Sequence, residues 1–389
     1  MIGIFNDNYP PIMDGVALTA QNYAQWLTNK GNEVCVVTPY APLSSKFDNS
    51  APYPVLRYAS LPIPMRKPYR FGIPEMDWSF RRKLKKMQFH LVHAHCPFSS
   101  GKLALDIARK QKIPLIATFH SKYRQDFERV FRSKRMVDNI IRNIVAFYEQ
   151  ADEVWIPQAS VEPTLREYGY KGHVEVMENG NDFATPAKEV ESIRYEMREE
   201  LDIKPHETVL LFVGQHIWEK NIGFILDALY LIQECPFHLF MVGTGYAAHK
   251  FQHQVEQLGL TEKVTMVGNI GERELLKKYY AAADLFLFPS LYDNAPLVVR
   301  EAAALHTPSV LLDDSTAAEI ITDQLNGFLS PNDVHEYAKR IKYLINHPQI
   351  VQRAGDNASS SISRSWENVV DEVLLRYKEI QDRHAKYFI

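Results

Sequence analysis

The 389-residue chain has few cysteines, and the three present form neither a disulfide pattern nor a metal-binding pattern. Cys35, Cys96 and Cys235 are odd in number and lack the C-x-x-C spacing of a zinc or redox site. They favour a reducing compartment, so we expect a cytoplasmic protein. The chain also has no apolar run near 18 residues, and its start lacks the basic and apolar regions of a secretory signal. We therefore expect no spanning helix.

Acidic residues are scarce in the first part of the chain. Residues 1–150 contain 22 Lys and Arg against 11 Asp and Glu, a balance of +11, whereas the remainder, with 22 against 36, has −14. A basic region implies an anionic partner, such as a membrane surface, a nucleic acid or a polyanionic acceptor. The overall composition, 46% hydrophobic and 23% charged, is typical of a globular enzyme, and the length predicts two domains.

Short apolar runs alternate with helical segments along most of the chain. The runs at residues 34–38, 209–213, 239–242 and 285–288 are too short for helices and are typical of buried strands. Strands alternating with helices predict α/β domains with parallel sheets. A charged, proline-containing stretch near 183–206 is the predicted linker.

The stretch from 284 to 327 contains the strongest indication of a ligand site. The apolar run 285–288 ends at Pro289, a polar loop follows, and a helix is predicted from Leu297. In open α/β sheets, ligands bind at the carboxyl ends of the strands, where a helix N-terminus offers N–H groups to phosphate. Asp293 and Glu301, eight positions apart, frame this turn.

The segment from Asp293 to Ala302 resembles the nucleotide-sugar signature E-x-x-P-x-x-x-x-E-A of retaining glycosyltransferases of family 4, with Asp293 in place of the first Glu. The resemblance covers nearly the full length and extends to the diacylglycerol glucosyltransferase branch. It implies the GT-B fold, an α/β architecture of two facing Rossmann-like α/β/α domains with a cleft between them. We expect an acceptor domain at 1–186, a donor domain at 187–366, and a C-terminal helix at about 367–389 that crosses back to the first domain.

The same resemblance implies a donor site for a nucleotide-diphosphate sugar. In the family's G-R-x-x-x-x-K-G pattern, Lys220 matches the lysine, whereas Gln215 replaces the arginine and brings no charge. Lys220 and the backbone N–H groups of Leu297 and Val298 would stabilise the diphosphate, so no metal or other cofactor is expected to be obligatory. Asp293 would hold the sugar hydroxyls and Glu301 the ribose. The predicted donor-binding residues are Gly15, Gly214, Gln215, Lys220, Asn269, Ile270, Asp293, Asn294, Ala295, Leu297, Val298 and Glu301.

Histidines lie in one predicted strand of the first domain and just after another. His120 comes directly after the strand 112–118, where the family commonly has a histidine near the donor sugar and the acceptor. His120, Asp293 and Lys220 are therefore the predicted catalytic residues. His93 and His95 alternate along another strand and would point to one side, as two metal ligands do. Since no third ligand is evident, a metal site is not expected.

Residues 78–87, WSFRRKLKKM, predict an amphipathic basic helix. At 100° per residue, Phe80, Leu84 and Met87 share one face. The opposite face carries the predicted acceptor and membrane residues, Trp78, Arg81, Arg82, Lys85 and Lys86, to which we add His120 for the acceptor. Four cations around a tryptophan suit an anionic membrane surface, and a solvated charged face is the alternative.

These features predict a hexosyltransferase. It would move a hexose from a UDP-sugar, UDP-glucose or UDP-galactose, to a membrane lipid such as diacylglycerol, with retention of configuration. We expect a cytoplasmic enzyme bound peripherally to the anionic inner face of the plasma membrane, with no nucleic-acid partner. The alternatives are a glycosyltransferase for a soluble or polysaccharide acceptor and a non-catalytic membrane- or partner-binding protein with the same fold. A third, an NAD enzyme, lacks the full glycine fingerprint, since Gly243 and Gly245 form only a G-x-G.

Overall fold

The computed structural model describes residues 1–63 and 68–386, and the chain divides into two compact units. The first unit comprises Met1–Asn179 with Trp366–Ile389, and the second comprises Gly180–Ser365. Residues 180–186, which the sequence assigned to the first domain, belong to the second unit. The last three residues of the predicted C-terminal helix, 387–389, lie outside the described residues.

The first unit is built on a parallel sheet. Its strands are β1 (Ile2–Phe5), β2 (Val34–Pro39), β3 (Val55–Tyr58), β4 (Ser60–Pro62), β5 (Arg70–Gly72), β6 (Leu91–Ala94), β7 (Leu115–Thr118), β8 (Glu153–Ile156) and β9 (Glu175–Val176). Its helices are α1 (Gly15–Asn29), α2 (Ser44–Ser50), α3 (Trp78–Leu84), α4 (Ser99–Gln111), α5 (Tyr123–Val130), α6 (Lys134–Tyr148), α7 (Glu162–Glu167) and a C-terminal helix (Trp366–Lys386), with 3₁₀ turns at Pro74–Met76 and Ala159–Val161.

Within the described residues, the main sheet of this unit has the order β3-β2-β1-β6-β7-β8-β9, and every pairing in it is parallel. Strands β1, β2, β6, β7 and β8 are buried along their whole length, which is why their sequences are mostly apolar; His93 in β6 and Glu153 in β8 are buried polar exceptions. Strands β4 and β5 form a separate antiparallel pair in which Leu61 lies opposite Phe71.

Helix α3 is shorter than the basic helix that the sequence predicts. It ends at Leu84, with Lys85 as its C-cap, so Lys85 and Lys86 lie beyond the helix. The amide of Gln111 accounts for this early end, because it accepts from the N–H of Phe89 at 2.8 Å and donates to the carbonyl of Met87 at 2.9 Å. Because Gln111 bonds the backbone at Met87 and Phe89, the chain leaves the helical path there and leads into β6.

The C-terminal helix is part of the first unit, and ion pairs near its start and along its length join it to the rest of that unit. Lys30 lies 3.1 Å from Glu367 and 2.9 Å from Asp371. Further along, the Nε atom of Arg376 lies 2.6 Å from the carboxylate of Glu153, whose side chain is only 4% exposed. No helix in residues 1–63 and 68–386 combines the length and apolarity that crossing a bilayer requires.

The second unit contains a second parallel sheet. Its strands are β10 (Thr208–Val213), β11 (Phe237–Val242), β12 (Val264–Gly268), β13 (Leu285–Leu287), β14 (Ser309–Leu312) and β15 (Phe328–Ser330). Its helices are α8 (Ala187–Glu200), α9 (Ile222–Tyr230), α10 (Ala248–Gln257), α11 (Arg273–Ala282), α12 (Leu297–Ala304), α13 (Val334–Ile345) and α14 (Pro348–Ser361), with 3₁₀ turns at Trp218–Lys220 and Thr316–Ile320. In the described chain the strand order is β12-β11-β10-β13-β14-β15, with parallel pairings throughout.

The strand order of the second sheet reverses direction at β10. Strand β10 lies between β11 and β13, so successive crossovers leave it on opposite sides. Such a reversal opens a crevice at the carboxyl ends of the strands, where α/β sheets bind ligands. The loops that follow β10 and β13 therefore meet at this edge, and they carry half of the predicted donor-binding residues.

Candidate functional site

The loops after β10 and β13 are bonded directly to each other. Asn221, which has a positive φ of 57°, donates from its side-chain nitrogen to the carbonyl of Pro289 at 3.2 Å. The neighbouring loop after β11 also packs closely, because a Cβ built on Gly243 would lie 1.9 Å from the carbonyl oxygen of Gly214. Gly243 has a φ of +130°, so only glycine fits this approach. The three loops thus form one closely packed edge.

Lys220 and Asp293, 73 positions apart in the chain, form an ion pair at this edge. The Nζ atom of Lys220 lies 2.5 Å from the Oδ1 atom of Asp293, and the hydroxyl of Ser290 donates to Oδ2 at 2.6 Å. The side chains are 13% and 17% exposed, so both charges lie in a largely desolvated position. The rings of Phe288 and Tyr292 lie 5.5 and 5.8 Å from the ammonium, within cation–π range.

Glu301 lies one turn inside α12 and is almost fully buried, with 3% of its surface exposed. One carboxylate oxygen accepts from Arg273 at 2.7 Å and the other from the Tyr280 hydroxyl at 2.9 Å. Arg273 also bonds Asp182 at 2.5 Å. Burial alone would lower the pKa of Arg273, but the Glu301 and Asp182 carboxylates outweigh it and raise that pKa. Each Glu301 oxygen keeps a second lone pair for a further donor, and the contact of Glu301 with the ribose stays a prediction.

Other predicted donor residues lie at the same edge of the second sheet. Helix α12 starts at Leu297 without a side-chain cap in the described chain, and Leu297 and Val298 are its first two residues. Backbone N–H groups at such a start are phosphate donors. Asn269 and Ile270 follow β12, the first exposed and the second half-buried. Gly214 and Gln215 follow β10 directly, and Asn294 and Ala295 stand between Asp293 and α12.

Gly15 belongs to the first unit, where it is the first residue of α1. It is exposed, and a Cβ built there would meet no atom within 4 Å. The preceding residue, Asp14, caps the helix by accepting from the N–H of Ala17 at 2.8 Å. The backbone at Gly15 is thus open to close approach, and its contact with the diphosphate stays a prediction.

His120 is half-buried and belongs to a stack of three histidines in the first unit, in which His93 and His95 are fully buried. Its Nε2 atom lies 3.0 Å from Nδ1 of His95, whose ring stacks on that of His93 at 4.2 Å between centroids. The two ring nitrogens of His93 bond Tyr377 at 2.6 Å and Thr118 at 2.7 Å. Burial lowers the pKa of His120 to about 3, and the pKa values of His93 and His95 well below their usual value. The stack is therefore uncharged at neutral pH.

The predicted membrane residues lie on a surface that is more apolar than the sequence indicates. Trp78 is 73% exposed, and Arg82 lies 5.6 Å from its ring. Leu61 and Phe71, paired across β4 and β5, are 56% and 58% exposed, and Met76 is 79% exposed. The Asp77 carboxylate accepts from the N–H of Ala59, which joins the start of α3 to the base of β4. We call this region the Trp78 surface; it comprises Leu61, Phe71, Met76 and Trp78 with the exposed cations Arg81, Arg82, Lys83, Lys85 and Lys86.

Several residues of these sites were missed at the level of sequence. Ser290 stands three positions before Asp293 after the predicted strand end, a spacing at which a hydroxyl can reach a carboxylate in a turn. Arg273 and Tyr280 lie 28 and 21 positions before Glu301, and no local pattern pairs them with it. Leu61 lies in a proline-rich stretch with no helical period, and only its pairing with Phe71 reveals an apolar face.

Two family models match the chain. Residues 13–184 match the model described as Glycosyltransferase Family 4, and residues 193–361 match that described as Glycosyl transferases group 1. Two curated proteins named alpha-monoglucosyldiacylglycerol synthase are similar to it. The one from Acholeplasma laidlawii is 26% identical over 374 residues, covering 92% of each chain. The one from Streptococcus pneumoniae is 27% identical over 334 residues, covering 84% of this chain and 74% of its own. The chain belongs to glycosyltransferase family 4, and it is an enzyme that transfers a sugar.

Solved structures share the whole fold. The Anabaena protein Alr3699/HepE, solved in complex with UDP and glucose, superposes with a TM-score of 0.76 at 17% identity, covering 97% of this chain and 99% of its own. A sucrose-phosphate synthase from Thermosynechococcus elongatus gives a TM-score of 0.77 at 19% identity, covering 97% and 98%. Both are GT-B glycosyltransferases, and the predicted GT-B fold class is confirmed.

Proposed function

We propose that the enzyme transfers a hexose from a UDP-sugar, UDP-glucose or UDP-galactose, to a membrane lipid such as diacylglycerol, with retention of configuration. The alpha-monoglucosyldiacylglycerol synthases, whose names state a glucosylated diacylglycerol product, support the lipid acceptor because the similarity extends over 92% of both chains in one case. The solved neighbour bound to UDP and glucose supports the donor class.

The donor site of the proposal is the edge formed by the loops after β10, β12 and β13. Lys220 and the first N–H groups of α12 would stabilise the diphosphate as charge develops on the leaving group. Glu301 would accept from the ribose hydroxyls, and Asn269 and Ile270 would border the base. This donor set supplies its own positive charge, so the proposal includes no obligatory metal.

The observation that carries the lipid acceptor is the Trp78 surface. Exposed tryptophan and aliphatic side chains beside cations are the composition that binds at the headgroup level of an anionic bilayer. Each cation close to such a bilayer contributes on the order of 1 kcal/mol, so the five of this surface suffice for peripheral attachment. The net charge of +11 on residues 1–150 also favours binding to an anionic bilayer. We place the enzyme on the inner face of the plasma membrane, where nucleotide sugars and lipids meet.

Vesicle sedimentation combined with product analysis tests the proposal. The protein should pellet with vesicles of phosphatidylglycerol and diacylglycerol at low salt, and much less with phosphatidylcholine vesicles, because charge attraction is screened over about 8 Å at physiological salt. Mass spectrometry should then detect a hexosyl-diacylglycerol when UDP-glucose or UDP-galactose is added.

A charge-reversed variant and a matched control locate the surface. Changing Arg81, Arg82, Lys85 and Lys86 to Glu should release the protein from vesicles and lower lipid glycosylation. The control changes the exposed cations Lys102, Arg109, Lys110 and Arg142 to Glu, which alters the net charge equally at another place on the first unit. Equal release of both variants would contradict a specific docking surface.

One relative supports a second acceptor class. The Bacillus subtilis protein named putative teichuronic acid biosynthesis glycosyltransferase TuaC is 24% identical over 300 residues, covering 72% of this chain and 70% of its own. A polysaccharide acceptor would give sugar transfer that does not depend on vesicles. A protein that binds vesicles but neither transfers nor hydrolyses the donor would instead support the non-catalytic alternative.

A further inference from the structure

Lys220 and Asp293, two of the charged groups that the proposed donor needs, are bonded to each other in an ion pair. Lys220 Nζ and Asp293 Oδ1 are 2.5 Å apart, and the other Asp293 oxygen accepts from Ser290. With side-chain exposures of 13% and 17%, water screens neither charge well. In the donor-free protein each group therefore satisfies the other, and a donor that enters must separate or share them.

Free UDP and an intact UDP-sugar differ in the contacts that they can offer to Lys220 and Asp293 once the ion pair is broken. Both bring a diphosphate, which can accept from the ammonium of Lys220 in place of Asp293. Only the intact donor also brings sugar hydroxyls, and these can donate to the carboxylate of Asp293. Free UDP would leave that carboxylate without its cation beside an anionic diphosphate, and an uncompensated charge in a desolvated position is costly.

We propose that Asp293 discriminates between the intact donor and free UDP, through its ion pair with Lys220. Binding of the intact donor exchanges one ion pair for two contacts, from Lys220 to phosphate and from a sugar hydroxyl to Asp293. Binding of free UDP breaks the same ion pair and makes only the first contact. The pair thereby weakens the binding of the product relative to the substrate and favours product release. This inference rests on the proposed function, because it needs a UDP-sugar at this edge.

Ser290 fixes the carboxylate during this exchange. Its hydroxyl donates to Oδ2 of Asp293 at 2.6 Å, and since Lys220 bonds the other oxygen, the exchange at Oδ1 does not require this bond to break. The spacing of three residues suits the short side chain of aspartate, and glutamate, one methylene longer, would carry its carboxylate past this hydroxyl. Asp293 does not bond free UDP directly. It acts through Lys220, whose ammonium it holds in competition with the diphosphate, and is therefore a positioning residue for the free nucleotide.

Calorimetry with UDP and with a non-transferable UDP-2-fluoro-hexose tests the inference. Asp293→Asn keeps the size of the side chain but removes its charge, so Lys220 becomes available to phosphate. We expect UDP to bind this variant about 10-fold more tightly, corresponding to about 1.4 kcal/mol. The analogue should gain much less, since asparagine accepts a sugar hydroxyl less well than a carboxylate does. The ratio of UDP affinity to analogue affinity should therefore rise in Asp293→Asn.

Two further variants separate this mechanism from a general charge effect. Ser290→Ala should shift the same ratio in the same direction but by less. Asp314→Asn removes an exposed carboxylate just beyond β14, in the same unit, and should leave both affinities unchanged. An equal gain in UDP affinity for Asp314→Asn would overturn the inference, as would unchanged or weaker UDP binding by a folded Asp293→Asn protein.

The proposed function fails in a different way from this inference. If the wild-type protein binds neither UDP nor the analogue, the donor site itself is wrong. If the wild type binds both and Asp293→Asn leaves their ratio unchanged, the donor site stands and the role of Asp293 is refuted. Inhibition of sugar transfer by added UDP gives a second measurement, since Asp293→Asn should be inhibited at lower UDP concentration than the wild type.

Discussion

Replacing Lys220 with alanine tests the proposed donor site most directly. A hydrogen bond between an ammonium and a phosphate contributes roughly 1.5–3 kcal/mol, and every 1.4 kcal/mol corresponds to a factor of ten in affinity. Lys220→Ala should therefore weaken UDP binding by about 10- to 150-fold. Because the Lys220 side chain is only 13% exposed and Asp293 lies 2.5 Å from it, the variant also leaves an uncompensated carboxylate near the diphosphate. This repulsion moves the expected loss toward the upper part of the range.

The assay is calorimetric titration with UDP, and the chain offers a matched control. Lys277 is 14% exposed and lies 3.5 Å from Glu189 in the same unit, so Lys277→Ala removes an equally buried lysine from an ion pair outside the site. It should leave UDP affinity unchanged. The double variant of Lys220→Ala with Asp293→Asn should regain part of the lost affinity. Wild-type affinity in Lys220→Ala, or an equal loss in the Lys277 control, would refute this account of the site.

Three further outcomes follow from the geometry. Glu301→Gln should weaken UDP binding but not the binding of a ribose-free sugar phosphate; equal losses by calorimetry would indicate a purely structural role. Burial lowers the pKa of His120 from 6.5 to about 3, so the folded state binds fewer protons than the unfolded chain between these values. Its stability should fall as the pH drops through this window, by up to about 1.4 kcal/mol per pH unit, and His120→Asn should flatten the slope in denaturant titrations. Arg376→Ala should cost about 1.5–3 kcal/mol of unfolding free energy, because it removes a partner of the buried Glu153, whereas Arg383→Ala, at 55% exposure, should cost less; the reverse order would contradict this reasoning.

The local pattern of apolar runs and helical segments was sufficient to predict the α/β architecture. Strand β10 is a continuous apolar run because parallel strands covered on both faces bury nearly every side chain, and this composition is visible without a structure. Proline marked the end of a strand, as at Pro289 after β13. Alternating strands and helices then leave few topologies, and the GT-B class followed from the resemblance of the Asp293–Ala302 segment together with this alternation.

Helix ends and exposed apolar faces could not be predicted as well from the sequence, because they depend on side chains that are distant along the chain. The predicted helix 78–87 ends at Leu84 since Gln111, more than 20 positions later, bonds the chain beyond it. Leu61 and Phe71 form an exposed apolar pair only because β4 and β5 align in register. Neither fact is contained in a local window of the sequence.

Sequence alone determined which residue types stand at the donor edge: a lysine in the loop after β10, carboxylates at positions 293 and 301, and a helix start between them. Tertiary structure decided how these groups are paired. In the folded protein, Asp293 bonds Lys220 and Ser290, and Glu301 bonds Arg273 and Tyr280. The reason is physical: spacing along the chain fixes the identity and order of charges, but ion pairing falls off with distance through space. Only the parallel packing of β10 beside β13 brings charges 73 positions apart to 2.5 Å.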